Sequence, residues 1–454
     1  MGQKTSLSLF HLTWPIFIEL MLQMLMGSAD TLMLSQYSDQ SVGAVGFSNQ
    51  VLQVITVLFG FVATGTVIMV SKSLGAKNET EALNITYTSI VINALFGLSL
   101  SLVLSVFGKQ LLRLLNIPDA FMHESQTYLI IVGGFIFVQA INITIGATLR
   151  SYGFTKDAMT VTIGINILNI IGNFFFIFGP FFFPSLGVLG AALSTSVSRV
   201  IGLIILGILL IKRTGVMPRL HLFLKHKREH IKQILEIGIP SAGEQLSYDL
   251  SQMFITYFVT LIGTEAITTK IYVQNIMMFI YLFSLAIGEG SQIIIGHYMG
   301  AGKLKQAYHR GINSMKYGFV GSLVMAILFY LMAGPLLKIF TDDPDILSIG
   351  KGLLFITILL EPGRAFNLIL ISALRSVGDV RFPVIMGMFS MWLIGLPIAW
   401  LCAITLDLGL LGIWISFIVD EWVRGIFMLI RWRGRAWEKT LFIKPKEPRQ
   451  EMDI

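Results

Sequence analysis

A single cysteine, Cys402, stands among 454 residues, so no internal disulfide can form and no Cys/His cluster is available to hold a metal. Charge is scarce too. Asp, Glu, Lys and Arg make up only 13% of the chain, well below what clothes a soluble protein. The catalytic strings His-Glu-x-x-His and Gly-x-Ser-x-Gly are missing, and the polar segments are too short for a catalytic domain, so an enzyme is not expected. What the chain has in excess is apolar surface: 54% of its residues are hydrophobic and its mean hydropathy is +0.76. No soluble core could bury that much, which leaves a lipid bilayer as the solvent.

Reading the apolar runs between polar breaks gives spans near 10–34, 42–71, 83–108, 122–148, 157–180 and 187–211, then 235–262, 266–299, 309–334, 348–374, 382–402 and 408–430. Runs of this length cross roughly 30 Å of hydrocarbon as helices, and they lack the alternation of barrel strands. The first run carries Pro15, Glu19 and Asp30 and no small-residue cleavage site, so it reads as a span rather than a removable signal peptide. The expected fold is an all-α integral membrane protein of about twelve transmembrane helices.

The formal charge of +7 follows topology. With both termini cytoplasmic, about 24 of the 33 Lys and Arg fall inside, while the acidic group Asp342, Asp343 and Asp345 falls outside. The basic segment from Lys212 through Arg219, Lys225 and Lys227 to Lys232 therefore faces anionic lipid, and nucleic acid is not an expected partner. A multi-pass protein of the plasma (inner) membrane, bacterial in type, is the corresponding expectation.

An internal repeat organises the chain. Pro15 and Pro240, Glu19 and Glu244, Gly65 and Gly290, Gly75 and Gly300, Arg150 and Arg375, and Gly153 and Gly378 all share one offset. Leu149-Arg150-Ser151-Tyr152-Gly153 matches Leu374-Arg375-Ser376-Val377-Gly378, and Gly190 with Ser194 matches Gly412 with Ser416. Six helices per unit make the repeat parallel, giving two bundles suited to alternating access. The division expected is an N-lobe over 1–211, a basic linker over 212–234, a C-lobe over 235–432 and a basic tail over 433–454.

Ionisable groups inside spans are expensive, about 3 kcal/mol or more on insertion scales, and so mark function or pairing. Glu361 with Arg364 and Glu421 with Arg424 are spaced three apart and read as charges that neutralise each other or a group on a partner helix; Arg199 could equally bind an acid across the bundle. Asp30 has no Lys or Arg within a turn on either side, and it reads either as a carboxyl that exchanges a proton during a cycle or as one hydrogen-bonded to a neighbouring helix. Asn166, Asn169 and Asn173 lie along one helix face. They suit either helix packing or, with Asp30 and Thr195, an oxygen cage for a hard cation such as sodium. Met21, Met24 and Met26 beside Asp30 read as adaptable ligand contacts or as core filler.

Trp14-Pro15, Ala29-Asp30-Thr31, the Leu-Arg-Ser-x-Gly loops, Asn169 to Asn173 leading into Ile177-Phe178-Gly179, and Gly187 to Thr195 together resemble the multidrug and toxic compound extrusion (MATE) family, across nearly the whole chain. The resemblance implies two six-helix lobes in a V shape, with proton or sodium entry driving expulsion of amphipathic cations. It places Asp30, Asn169 and Thr195 at the family's N-lobe cation site, which would be the sodium ligands together with Asn173. Asn173 occupies a position that is aspartate in one branch and asparagine in the NorM-like branch. In the second half Glu244 is the nearest counterpart of the family's acids and Asp249 a further candidate; Arg364 stands where relatives carry an acid, with Glu361 one turn earlier.

The expected function is thus a cation-coupled antiporter exporting small organic compounds, with no cofactor beyond the coupling ion and no obligate protein partner. A flippase for lipid-linked precursors is the alternative, and it would call for a basic cavity. Here acids outnumber bases.

Overall fold

The computed structural model describes residues 7–180, 184–215 and 228–439. Expectations placed on Arg219, Lys225, Lys227 and the tail from 440 lie outside the described residues. Among the described residues there is no β-strand. The first half holds α1 (Leu9–Ser35), α2 (Asp39–Gly75), α3 (Glu79–Leu114), α4 (Asp119–Gly134), α5 (Ile136–Ser151), α6 (Thr155–Phe178) and α7 (Val188–Thr214). The second holds α8 (Arg228–Ile262), α9 (Thr264–Gly300), α10 (Leu304–Leu331), α11 (Ala333–Lys338), α12 (Pro344–Ser376), α13 (Arg381–Ser390), α14 (Leu396–Trp400) and α15 (Leu410–Arg433). A π-helical stretch, Met391–Gly395, joins α13 to α14, and a second, Leu401–Thr405, continues the same rod beyond α14.

Nine spans among the described residues are long and apolar enough to cross a membrane, counting Arg381–Thr405 as one, and the pair α4–α5 makes a tenth. α8 and α15 have the length, 35 and 24 residues, but α8 carries Glu236, Glu244 and Asp249 and α15 carries Asp420, Glu421 and Arg424. With these two the total is the twelve that the apolar runs suggest.

The run at 122–148 is not one straight helix. It breaks at Phe135, where α4 and α5 meet at 45°. Gly133 and Gly134 precede the break and supply the weak helix propensity that a bend exploits, and the Ser101 hydroxyl accepts from the Phe137 amide that the break would leave unpaired, at 3.3 Å. The matching stretch of α12 stays continuous, with Pro362 inside it.

The repeat is visible in the backbone. α2 and α9 are both 37 residues long, and α5 and α12 end on the matched serines Ser151 and Ser376. The Leu-Arg-Ser-x-Gly string is a helix stop: Gly153 and Gly378 take φ of 88° and 96°, a left-handed geometry that glycine adopts without steric penalty. The next amide, Phe154 or Asp379, then donates back to the leucine carbonyl, Leu149 or Leu374, at 2.9 and 3.0 Å.

Gly190 and Gly412 have a different cause. A Cβ on Gly190 would stand 2.3 Å from the Phe176 carbonyl oxygen, and one on Gly412 would stand 2.4 Å from the Ala403 amide nitrogen, so each helix enters its lobe against the bare backbone of the preceding one. Small residues at such crossings are how helices pack in lipid. Gly190→Ala or Gly412→Ala is expected to lower stability by about 1–3 kcal/mol through overpacking. A melting midpoint unchanged in detergent for both variants would contradict the crossing.

Two compact units result: Trp14–Val70 with Asn78–Gly238, and the chain from Ile239 onward with the short stretches Ser8–Thr13 and Ser71–Lys77. The boundary falls within α8 beside Pro240, and the stretch 212–234 is helical at both ends. The first turn of α8 belongs to the first unit, where His230 Nε2 lies 2.7 Å from Glu81 Oε1. Leu34, Phe59, Leu112, Leu129, Ile136 and Ile177 form the core of the first unit. In the second, Val273, Leu353, Ile413 and Trp414 form one cluster and Leu370, Met428, Trp432 and Trp437 another. Trp437 stacks on Trp432, so the tail begins folded against α15.

Candidate functional site

In the N-terminal unit, α1, α6 and α7 bring Asp30, Asn169, Asn173 and Thr195 together. Asn173 Nδ2 donates to Asp30 Oδ1 at 2.5 Å and reaches Asn169 Oδ1 at 3.5 Å; Asn169 Nδ2 in turn donates to Thr195 Oγ1 at 3.1 Å. All four are buried, Asp30 at 4% exposure. The asparagines follow one face of α6 because they are spaced three and four apart, and that face looks onto α1 and α7. One turn earlier, Asn166 Nδ2 donates to the Leu22 carbonyl at 3.3 Å and ties α6 to α1. Ser194 fixes α7 to the Asn169 backbone carbonyl at 2.8 Å.

Asn166 and Asn173 each keep a buried side-chain carbonyl oxygen with no hydrogen-bond partner among the described residues. Such acceptors are costly to leave unmet, and with one carboxylate and one hydroxyl they match the oxygen ligands of a hard cation. Among the described residues no three His, Cys, Asp or Glu side chains are grouped to hold a metal ion. An ion here would be met by a single formal negative charge, that of Asp30, and by neutral oxygens.

Sequence reasoning passed over Tyr128 on α4. It is buried in the neighbourhood of Thr195 and of Asn49 on α2. The signal was faint because a lone tyrosine in an apolar run has no partner spacing along its own helix. Asn142, on α5, donates to the Arg199 carbonyl at 3.0 Å and ties α5 to α7.

The C-terminal unit holds a different assembly. Arg364 Nη1 donates to Glu361 Oε1 at 2.6 Å, as their spacing suggests, and its Nε donates to Glu421 Oε1 at 3.3 Å, which joins α12 to α15. Asn367 Nδ2 supports Glu421 Oε2 at 2.9 Å. Glu421 and Arg424 do approach, at 3.4 Å, but the shorter bond of Arg424 is to Asp420 Oδ2 at 2.5 Å, and Ser390 donates to Asp420 Oδ1 at 2.6 Å. Three carboxylates and two guanidiniums therefore share one buried network. Glu361 is at 0% exposure, and its second oxygen has no partner among the described residues.

Glu244 and Asp249 stand apart from this network. Glu244 Oε2 accepts from Arg375 Nη2 at 2.6 Å, and its repeat mate Glu19 Oε1 accepts from Arg150 Nη1 at 2.7 Å. The same ion pair is thus built once per lobe between the proline-bearing helix and the helix that ends in Leu-Arg-Ser-x-Gly. Asp249 is exposed and accepts from Gln245 on its own helix at 3.0 Å.

These arrangements sit on a scaffold that other proteins share. The MatE family model matches residues 15–175 and 240–401, once in each half. The chain belongs to the MatE family. Its MatE relatives include the uncharacterized transporter YisQ of Bacillus subtilis strain 168, 52% identical over 95% of this chain and 94% of that protein. The probable multidrug resistance protein NorM of Thermotoga maritima is 30% identical over 95% and 93%. Among solved structures, a MATE crystal structure in the bent conformation superposes with a TM-score of 0.87 at 23% identity, covering 95% of this chain and 96% of that one. A MOP superfamily transporter from Pyrococcus furiosus, described as having a binding pocket of reverse polarity, gives 0.84 at 23% identity with the same coverage. The protein is a multi-pass MATE transporter of the NorM-like bacterial branch, with the two-lobe MATE fold.

Proposed function

We propose that this MATE transporter is a secondary antiporter in which proton or sodium entry at the Asp30 cluster drives export of small amphipathic organic cations. The observation that carries the reading is the buried Asp30 carboxylate, wired through Asn173 and Asn169 to Thr195 with unmet amide oxygens beside it. A buried carboxylate changes its interactions sharply when a cation neutralises it. That difference is what a ligand needs in order to shift a conformational equilibrium. With both termini in the cytoplasm of a bacterial cell, inward movement of one charge supplies about 2.3 kcal/mol per 100 mV, plus the concentration term. Asn173 in place of a second acid favours a one-carboxylate site, which a monovalent ion can satisfy.

The flippase alternative asks for free basic groups to receive a diphosphate. Arg364 and Arg424 are each held by carboxylates, and Arg199, which bonds none, is a single cation in the electrostatic field of Asp30, which argues against it. Reconstituted vesicles loaded with a fluorescent organic cation and given an imposed sodium or pH gradient test the proposal. Efflux is expected to accelerate with one of the two gradients; indifference to both would remove cation coupling.

A further inference from the structure

Arg199 is the basic group of the N-terminal unit that the Asp30 cluster leaves unused. Among the described residues Arg150, Arg364, Arg375 and Arg424 each bond a carboxylate, and Arg199 bonds none. Its Nε–H is enclosed and has no hydrogen-bond partner among them. On α7 it follows Thr195 by four residues, so the two side chains lie on one helix face a turn apart. The ionisable groups whose charge it feels are Asp30 on α1 and Tyr128 on α4, and Thr195, a turn before it, is the hydroxyl that Asn169 bonds within the Asp30 cluster. Both neighbours therefore belong to the Asp30 cluster, and the only formal negative charge among them is Asp30.

We propose that Arg199 is the standing counter-ion of Asp30 and sets how much external cation is needed to load the N-lobe site. This rests on the reading of Asp30 as the coupling group. A fixed guanidinium gives the empty carboxylate a partner and repels an arriving cation, so loading proceeds only when the ion's concentration outweighs both effects. Like charges held in one partly buried site oppose each other enough to change an affinity by about tenfold or more. Arg199 is accordingly a positioning residue for the ion, not a ligand. Its removal should make the site load more easily instead of failing.

The test uses the purified full-length protein in detergent, with its unfolding midpoint followed against sodium chloride, at constant ionic strength in choline chloride, and against pH. Stabilisation by a bound ion follows its concentration relative to Kd, so the concentration giving half of the shift reports affinity without any transported compound. The wild type is expected to show such a shift for sodium or for protons, and Asp30→Asn to lose it. In Arg199→Gln the ion concentration for half of the shift should fall about tenfold, with Arg199→Lys near the wild type. An Arg199→Gln curve that superposes on the wild type overturns the inference while leaving Asp30 as the coupling group. A shift that persists in Asp30→Asn instead overturns the coupling assignment, and this inference with it. Should Arg199→Gln not accumulate, the double variant Asp30→Asn/Arg199→Gln is read: recovered accumulation supports the pairing, and continued loss overturns it.

Discussion

Asp30→Asn is expected to reduce cation-driven efflux about a hundredfold while the protein accumulates at the wild-type level, because losing a buried charge partner carries a penalty of about 2–5 kcal/mol in the process that uses it. The substitution is nearly isosteric. An asparagine oxygen at this position can still accept from Asn173 Nδ2, now 2.5 Å from Asp30 Oδ1, so the contact between α1 and α6 survives. What disappears is the charge that tells the ion-loaded site from the empty one, and with it the differential affinity that drives the cycle. Cells carrying the variant should be as sensitive to the exported compounds as cells without the transporter, with equal protein in their membranes. Wild-type resistance at equal abundance would move the coupling role away from α1. Asn173→Ala makes the opposite comparison, since it keeps the charge and removes an amide that holds the carboxylate. A weakened ion dependence is expected there, not a complete loss.

Part of this site is legible in the amino-acid sequence because its residues are spaced along single helices. The stripe of Asn166, Asn169 and Asn173 and the isolation of Asp30 in α1 are facts of one-dimensional spacing, and so is the register that links Arg150 with Arg375. The repeat also carries more than its register alone: Glu19 and Glu244 share that register, and each proves to bond the arginine of the same pair. What spacing does not carry is which helix faces which. Glu421 and Arg424 look like a self-contained pair three residues apart, yet Glu421 also bonds Arg364 on α12, and Arg424 turns mainly to Asp420. The bend at Phe135 is hidden for a similar reason. Two glycines weaken a helix anywhere, but a break becomes tolerable only where a neighbour such as Ser101 can take the freed amide. Tyr128 and Ser390 enter the sites solely through contacts between helices.

Glu421→Ala is expected to lower stability by about 3–5 kcal/mol, the penalty for removing one partner of a buried ion pair. Glu421 is the hinge of the C-lobe network. Its Oε1 lies 3.3 Å from Arg364 Nε and 3.4 Å from Arg424 Nη2, and its Oε2 accepts from Asn367 at 2.9 Å. Truncation leaves two guanidiniums facing Glu361 and Asp420 alone and frees the Asn367 amide in a buried setting. Deleting Arg424 as well should hurt more, since that guanidinium is the 2.5 Å partner of Asp420, which would then keep only the Ser390 hydroxyl. Glu421→Met/Arg424→Met therefore ought to melt below Glu421→Ala in the same detergent. If instead the double variant melts higher, the pairing of Asp420 with Arg424 contributes little and Glu421 is the partner that Arg424 needs. If Glu421→Ala melts like the wild type, the carboxylate is solvated and Arg364 takes its balance from Glu361 alone. In that event Arg364 with Glu361 and Arg424 with Asp420 act as two separate pairs, and loss of either arginine would be felt only on its own helix.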